Sequence, residues 1–220
     1  QDPLPSTIKA MLLDSATDLK QDGSGTQIID GPDYINGFGL LNAKEAVDRI
    51  RDETFIEANI SDLNDVDVYA INVTSSDAEV KVTLAWDDVP GANLINDMDL
   101  KLISPSGQTF YPWVLNHSNP SAPATRNNNS QLRDDVNVVE QVYANSSDSG
   151  FQTGEWLVVV SIDDGSSQEL PQKYSLASDR GIKSWDKNIS VLPRELEKFT
   201  HCSFSETKCL NREIGGENYE

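Results

Sequence analysis

The hydrophobic residues of this chain change their spacing at about residue 65, and that change constrains the fold more than any other feature. From Ser6 to Thr17 apolar residues recur every three or four positions, which is helical spacing. Beyond residue 65 they alternate with polar residues, as from Val80 to Trp86, and such alternation is typical of strands. The sequence therefore predicts a short helical segment followed by a mainly β region.

Short strands without intervening helices indicate the architecture of the β region. The alternating pattern covers residues 66–73, 80–86, 98–103, 109–114, 136–143, 156–162 and 173–177. Between two of these lies Ser104-Pro105-Ser106-Gly107, which has the composition of a turn. We therefore predict a mainly β fold class, an antiparallel β-sandwich or jelly roll preceded by a short α-helical segment. Trp86 and Trp156 fit the core of such a sandwich better than an exposed sugar-binding surface.

Two helices are expected before the strands. The first has a broad apolar face that requires deep burial, formed by Ile8, Met11, Leu12, Leu13 and Ala16. The second begins after Asn42, which can cap a helix with Glu45 three residues later. Its buried stripe is predicted to consist of Ala43, Ala46, Val47 and Ile50.

The charge of the chain excludes some partners. Seventeen basic and 36 acidic residues give a net charge of −19, which opposes a nucleic-acid backbone and an anionic membrane surface. No stretch approaches the roughly 20 apolar residues of a membrane span. We expect neither a nucleic-acid nor a membrane partner.

Two features favour an extracellular location. Asn-x-Ser/Thr triplets occur at Asn59, Asn72, Asn116, Asn128, Asn145 and Asn188, against about 2.6 expected by chance from this composition. Cys202 and Cys209 are spaced so that they could close a local disulfide, although two free thiols remain an alternative. With His201 they also suggest zinc, but a structural zinc site needs four ligands and no fourth Cys or His lies nearby.

A hydrolytic triad cannot be assembled from this sequence. The two histidines, His117 and His201, lie in an Asn-rich stretch and near the end of the chain, away from any Gly-x-Ser pattern. A serine nucleophile requires a base within hydrogen-bond reach and an acid that orients the base. We expect the chain alone to have no peptidase activity.

Acidic residues near the predicted strand ends suggest a calcium site. The proposed ligands are Asp97, Asp99, Asp134, Asp135 and Glu140, and Asp87 with Asp88 lie at another strand end. Calcium takes six to eight hard oxygen ligands, and carboxylates on alternate strand positions lie on one side. The alternative is that these carboxylates accept hydrogen bonds within turns.

Two stretches of the helical part, residues 6–16 (STIKAMLLDSA) and 31–43 (GPDYINGFGLLNA), are followed in order by several motifs of the β region. This set resembles the subtilisin-like serine protease family, in which the first two stretches are similar to the last helices of the catalytic domain. Residues 82–88, 96–100, 104–107, 134–142, 154–160 and 172–176 resemble the β-sandwich that follows it in certain larger members. The resemblance runs from about residue 5 to 178.

This resemblance implies a division of the chain and a role for it. Residues 1–52 would be the last helices of an α/β subtilisin-like catalytic domain, 55–180 an accessory β-sandwich, and 181–220 a poorly defined tail. The chain is then expected to be the C-terminal fragment of a secreted serine endopeptidase, cut at residue 1. Its partners are the upstream catalytic domain, which carries the triad, and, through the whole enzyme, a peptide or protein substrate.

Two other functions remain open from the sequence. The chain could be a stand-alone module that binds carbohydrate or protein, or the interaction domain of an inactive protease-like protein.

Overall fold

A computed structural model describes residues 2–19, 31–91, 93–126, 134–162 and 169–185. Two helices come first, α1 (Pro5–Asp14) and α2 (Ala43–Arg51). The strands of the described residues are β1 (Phe55–Ile60), β2 (Asp67–Val73), β3 (Glu79–Trp86), β4 (Met98–Ile103), β5 (Thr109–Phe110), β6 (Trp113–Val114), β7 (Thr125–Arg126), β8 (Val139–Asn145), β9 (Gly154–Ile162), β10 (Gln172–Ser178) and β11 (Lys183–Ser184).

The strands form two main sheets, in which all pairings are antiparallel. One sheet has the order β1-β10-β3-β8, and the other has the order β11-β2-β9-β4-β5. β6 and β7 form a separate pair. The predicted fold class, mainly β and antiparallel after a helical segment, is confirmed.

The main core lies between the two sheets and is built from alternate residues of the long strands. Its largest side chains without solvent exposure include Trp86, Trp156, Tyr174, Leu84 and Leu100. Full burial of one such side chain contributes about 1.5–3 kcal/mol. The prediction that Trp86 and Trp156 are core residues is confirmed, so neither tryptophan is available to bind a sugar.

Buried polar bonds join the sheets and the loops. Tyr69 on β2 and Tyr174 on β10 have their hydroxyls 2.7 Å apart, and Tyr174 donates to Asp67 at 2.6 Å. Asn96, which has no exposed surface, donates through Nδ2 to the Glu169 main-chain oxygen (2.9 Å) and to Gln172 Oε1 (2.7 Å). Its Oδ1 accepts from the Glu169 main-chain nitrogen at 2.9 Å. Asn96 therefore attaches the segment before β4 to the segment before β10.

α1 lies on the outer face of the four-stranded sheet. Ala10 and Met11 pack against Ala85 of β3 and Ala177 of β10, forming a second small core. α2 packs in turn on α1. Residues 2–19 and 31–52, which contain both helices, are called the helical segment below.

The two helices begin in different ways. Asn42 caps α2 as predicted, since its Oδ1 accepts from the Glu45 main-chain nitrogen at 3.1 Å. α1 has no side-chain cap of its own. Instead, Glu57 on β1 accepts from the Leu4 main-chain nitrogen (2.8 Å) and from Thr7 Oγ1 (2.5 Å). A carboxylate at this end also opposes the positive end of the helix dipole.

The sequence-based assignments were wrong at several places. β1, β7 and β11 were not predicted. The helical pattern extends to Thr17, but α1 ends at Asp14, and Thr17 instead exchanges two main-chain hydrogen bonds with Leu40. Val47 and Ile50, predicted to be buried, are 58% and 41% exposed, whereas Arg49 between them is buried. The pattern around residues 194–199 lies outside the described residues.

Candidate functional site: the helical segment on the four-stranded sheet

A buried ion pair lies where the helical segment meets the sheet. Asp14 of α1 has no exposed surface, and its Oδ1 accepts from Thr83 Oγ1 of β3 at 3.1 Å. Its Oδ2 lies 2.9 Å from Arg49 Nη2 of α2. These two atoms form an ion pair, but their geometry is not that of a hydrogen bond. Arg49 Nη2 also donates to the Asp14 main-chain oxygen at 3.2 Å. The pair therefore joins α1, α2 and β3.

The environment of Asp14 changes its acidity. Burial raises the pKa of the Asp14 carboxyl to about 7, because the charged form loses its solvation. The positive charges of Arg49 and Lys81 act in the opposite direction, while Asp179 adds to the increase. The carboxyl therefore titrates near neutral pH although a cation lies beside it.

Other polar contacts attach the helical segment to the sheet along the length of α1. Ser175 Oγ lies 2.9 Å from Ser6 Oγ and 2.8 Å from Thr7 Oγ1. Lys9 Nζ donates to the Val138 main-chain oxygen at 3.0 Å. Lys81 donates to the Ala16 main-chain oxygen (3.2 Å), and Gln141 donates to that of Leu13 (3.4 Å). These contacts hold α1 in one position on the sheet.

A cleft of about 450 Å³ opens beside this contact, between the helical segment and the sandwich. Phe38, Trp113 and Tyr143 line it, together with Arg49 and Lys81. Four carboxylates also line it, those of Asp18, Glu45, Glu79 and Asp179.

Trp113 belongs to a stack of side chains at one side of the cleft. The Arg126 guanidinium lies 4.9 Å from the centre of the Trp113 ring and 5.8 Å from that of Tyr143. Asp148 holds the guanidinium with two contacts, at 2.6 and 2.9 Å. A Cβ atom added to Gly31 would lie 2.7 Å from the Trp113 ring. The Trp113 ring therefore contacts both Arg126 and Gly31, and Trp113 also lines the cleft.

The helical segment exposes eight large apolar residues. Ile8 and Leu12, four residues apart on α1, are 38% and 37% exposed. The others are Tyr34, Ile35, Leu40, Leu41, Val47 and Ile50. Together these eight residues are called the outer apolar face.

Of the predicted calcium ligands, Asp99 lies on β4 and Glu140 on β8, while Asp97 precedes β4 and Asp134 and Asp135 precede β8. Glu140 on β8 is buried, and its Oε2 accepts from the Leu100 main-chain nitrogen of β4 at 2.5 Å. Burial raises the pKa of Glu140 well above its usual value, and the charges of Asp99, Asp97 and Asp134 add to the increase. Asp135 is exposed.

The calcium site itself stays a prediction. Within the described ranges, no group of three or more His, Cys, Asp or Glu side chains is gathered at metal-binding distance. Asp134 accepts turn hydrogen bonds from the main-chain nitrogens of Val136 (3.1 Å) and Asn137 (3.0 Å), as the alternative interpretation predicts. The Asp88 carboxylate likewise accepts from the main-chain nitrogens of Ile95 (2.7 Å) and Asn96 (3.0 Å), across the loop between β3 and β4.

Other residues singled out from the sequence lie apart from this site. His117 is exposed in the turn after β6. Asn59, Asn72 and Asn116 are exposed, while Asn145 is partly buried and lines the cleft. Outside the described residues are Asn128, Asn188, His201, Cys202 and Cys209.

The sequence pattern did not reveal the ion pair or the cleft. Asp14 and Arg49 are 35 residues apart, and each occupies a helix position that a charged surface residue would also suit.

Comparisons with known proteins give distant likenesses. No protein-family model matches the sequence, and no curated protein matches it. Among solved structures, the crystal structure of a serine protease of Aeromonas sobria is similar at 12% identity and a TM-score of 0.23, over 80% of this chain and 40% of that chain. The complex of the Aeromonas sobria serine protease (ASP) with its chaperone (ORF2) is similar at 12% identity and a TM-score of 0.25, over 82% and 40%.

This chain thus spans about 40% of the length of these solved chains. Both likenesses are to protease-related structures, and neither assigns an activity. No helix among the described residues has the length and apolar character needed to cross a membrane.

Proposed function

We propose that this chain is the C-terminal part of a secreted subtilisin-like serine endopeptidase. In this proposal the helical segment completes the catalytic domain, and the sandwich stabilises that domain or assists substrate binding. The supporting observation is the outer apolar face. Residues that the sequence pattern expects to be buried, such as Leu12 and Ile50, are exposed in this chain.

The helical segment has two sides with different environments. Met11 and Ala10 pack on the sheet, while Ile8 and Leu12 point away from it. Covering a large apolar side chain contributes up to about 1.5–3 kcal/mol, so a partner on this face would gain several kcal/mol. The residues that carry the family resemblance, 6–16 and 31–43, lie on or beside this face. An upstream catalytic domain is therefore the partner we propose.

Reactivity of the longer polypeptide tests the proposal directly. The upstream coding sequence should contain Asp, His and Ser motifs in that order, and the longer protein should react with a serine-directed phosphonate. The chain described here should not react with the phosphonate. A serine nucleophile needs a histidine as its base, and the histidine among the described residues is the exposed His117. An upstream sequence without a serine nucleophile motif would overturn the proposal.

Variants of the outer apolar face test the contact itself. In the longer protein, Leu12→Lys and Ile50→Lys should lower the thermal stability of the catalytic domain and with it the peptidase activity. Val136→Lys is the matched control, because Val136 is 66% exposed on the loop before β8. If all three variants behave alike, the outer apolar face is not the contact. In the isolated chain, Leu12→Lys should reduce the binding of a hydrophobic dye without unfolding the protein.

We also propose that a Ca²⁺ ion binds near the β4–β8 contact. The support is electrostatic, since Asp97, Asp99 and Asp134 each raise the pKa of the buried Glu140. A divalent cation would relieve this repulsion and favour the charged carboxylates. Asp135 completes the proposed set of ligands.

A further inference from the structure

The cleft beside the helical segment has the dimensions of a binding site. Its volume of about 450 Å³ lies in the range of about 300–1,000 Å³ that is typical of ligand pockets. It is formed where two parts of the chain meet, which is a frequent location for such pockets. Phe38, Trp113 and Tyr143 provide apolar surface for the aliphatic part of a ligand.

The charges around the cleft favour a cationic ligand. Its carboxylates are those of Asp18, Glu45, Glu79 and Asp179. Two cations also line the cleft: Arg49 pairs with Asp14 and, at 3.8 Å, with Glu45, and Lys81 donates to the Ala16 main-chain oxygen. Glu79 accepts from the Tyr143 hydroxyl at 2.8 Å and keeps its negative charge, so the carboxylates outnumber the cations of the lining. The chain as a whole carries a net charge of −19, which also attracts a cation over a longer distance.

A basic side chain of a peptide matches both kinds of lining. Arginine and lysine carry an aliphatic stem below a charged head, and the stem can pack on Phe38, Trp113 and Tyr143 while the head meets the carboxylates. A free cation such as an ammonium ion has no apolar part to bury.

We propose that this cleft binds a polypeptide segment that carries an arginine or a lysine. The basic side chain contacts the carboxylates of Glu45 and Glu79, and its aliphatic stem packs on the aromatic side chains of the lining. This inference is independent of the proposed protease function, since it rests on the cleft alone.

Calorimetric titration with short blocked peptides tests the proposal. The probe is a five-residue peptide with one central arginine, and its control has citrulline there, which has a similar shape and no charge. At physiological ionic strength we expect the arginine peptide to bind with one-to-one stoichiometry, about tenfold more tightly than the citrulline peptide. Absence of saturable binding, or equal affinity for both peptides, would overturn the proposal.

Paired substitutions separate the cleft from the general negative charge of the protein. The double variant Glu45→Gln and Glu79→Gln should weaken binding of the arginine peptide about tenfold. The control removes the same charge at Glu53 and Glu155, which are exposed and do not line the cleft. It should change the affinity less than about twofold. If both double variants lose the same affinity, the peptide is attracted by the net charge of the protein and not by the cleft, and the proposal is wrong.

Discussion

The Arg49 guanidinium lies 2.9 Å from the carboxylate of Asp14, and both side chains are at least 95% buried. Two charges removed from water in this way stabilise a protein only while both partners are present. Asp14 also accepts a hydrogen bond from Thr83, so the pair is connected to the sandwich through β3.

Removal of the cation should therefore be severe. At pH 8, where Asp14 carries its charge, Arg49→Met keeps most of the side-chain volume but leaves the Asp14 carboxylate buried without its ion partner, so we expect a loss of about 3–5 kcal/mol in the free energy of unfolding. Arg51→Met, at a position where the side chain is 68% exposed, should change it by less than about 0.5 kcal/mol. Denaturant unfolding measures both values, and similar values would contradict the importance of the pair.

The stability should also depend on pH through Asp14. Its pKa is raised to about 7 in the folded state from an ordinary value of 3.8, so between these values the folded state binds the additional proton. The contribution of Asp14 to stability is then largest below pH 4 and is lost as the pH rises towards 7. Asp14→Asn cannot ionise. The free energy of unfolding of the unsubstituted protein, relative to that of this variant, should fall between pH 4 and 8. If the two free energies change in parallel with pH, the titration of Asp14 does not contribute to stability.

Gly31 should not tolerate a side chain. Its φ of +88° disfavours other residues, and an added Cβ would lie 2.7–2.9 Å from three atoms of the Trp113 ring. We expect Gly31→Ala to cost about 2–4 kcal/mol, from backbone strain and overpacking together. Gly107→Ala is the control, because Gly107 has a similar φ of +83° and no atom within 4 Å of the added Cβ. It should cost only about 1 kcal/mol, and equal melting temperatures would contradict the close contact.

Asn96 should be one of the most sensitive polar residues of the sandwich. Asn96→Ala removes three hydrogen bonds and leaves the Glu169 main-chain groups and Gln172 without this partner. The expected loss is about 2–4 kcal/mol. Asn72→Ala, at an exposed position of β2, should stay within about 0.5 kcal/mol. Thermal unfolding of the two variants provides the comparison.

Calcium removal tests the proposed ion near β4 and β8. An ion that binds only the folded state at about 100 times its Kd adds roughly 2.7 kcal/mol, so a chelator should lower the melting temperature. Asp99→Asn should reproduce most of that loss and remove the sensitivity to chelator. Glu169→Gln, on an exposed side chain, should do neither. Identical melting in excess Ca²⁺ and in chelator, at matched ionic strength, would exclude the ion.

The sequence predicted the strands well where both the pattern and the burial were regular. β4 was assigned with the observed ends, because Met98, Leu100 and Leu102 alternate with polar residues and are all buried. β1 was missed because its apolar residues follow directly on α2 and because it lies at the edge of its sheet. Periodicity describes one segment at a time and carries no information about which segments pair.

The site was harder to predict for the same reason. The pattern on α2 assigned Val47 and Ile50 to the core, and Arg49 to the surface. The actual arrangement depends on Asp14, 35 residues earlier, and on Thr83 in a strand of the sandwich. Contacts between distant segments decide the charge and burial of such groups, and a single sequence does not show them.

The capping of α1 by Glu57 has a consequence for the order of folding. A helix of 10 residues is marginal in water, and this one receives its cap from β1, which pairs only with β10 more than 110 residues later. Ser175, which bonds Ser6 and Thr7, lies on that same late strand. On the ribosome, α1 emerges before the sandwich, but its cap and its contacts with Ser175 cannot form fully until β10 has been synthesised. The residues of α1 that pack on this sheet, Ala10 and Met11, therefore lack their cover until the end of β10 is made, and the docking of α1 is a late, non-local step of folding.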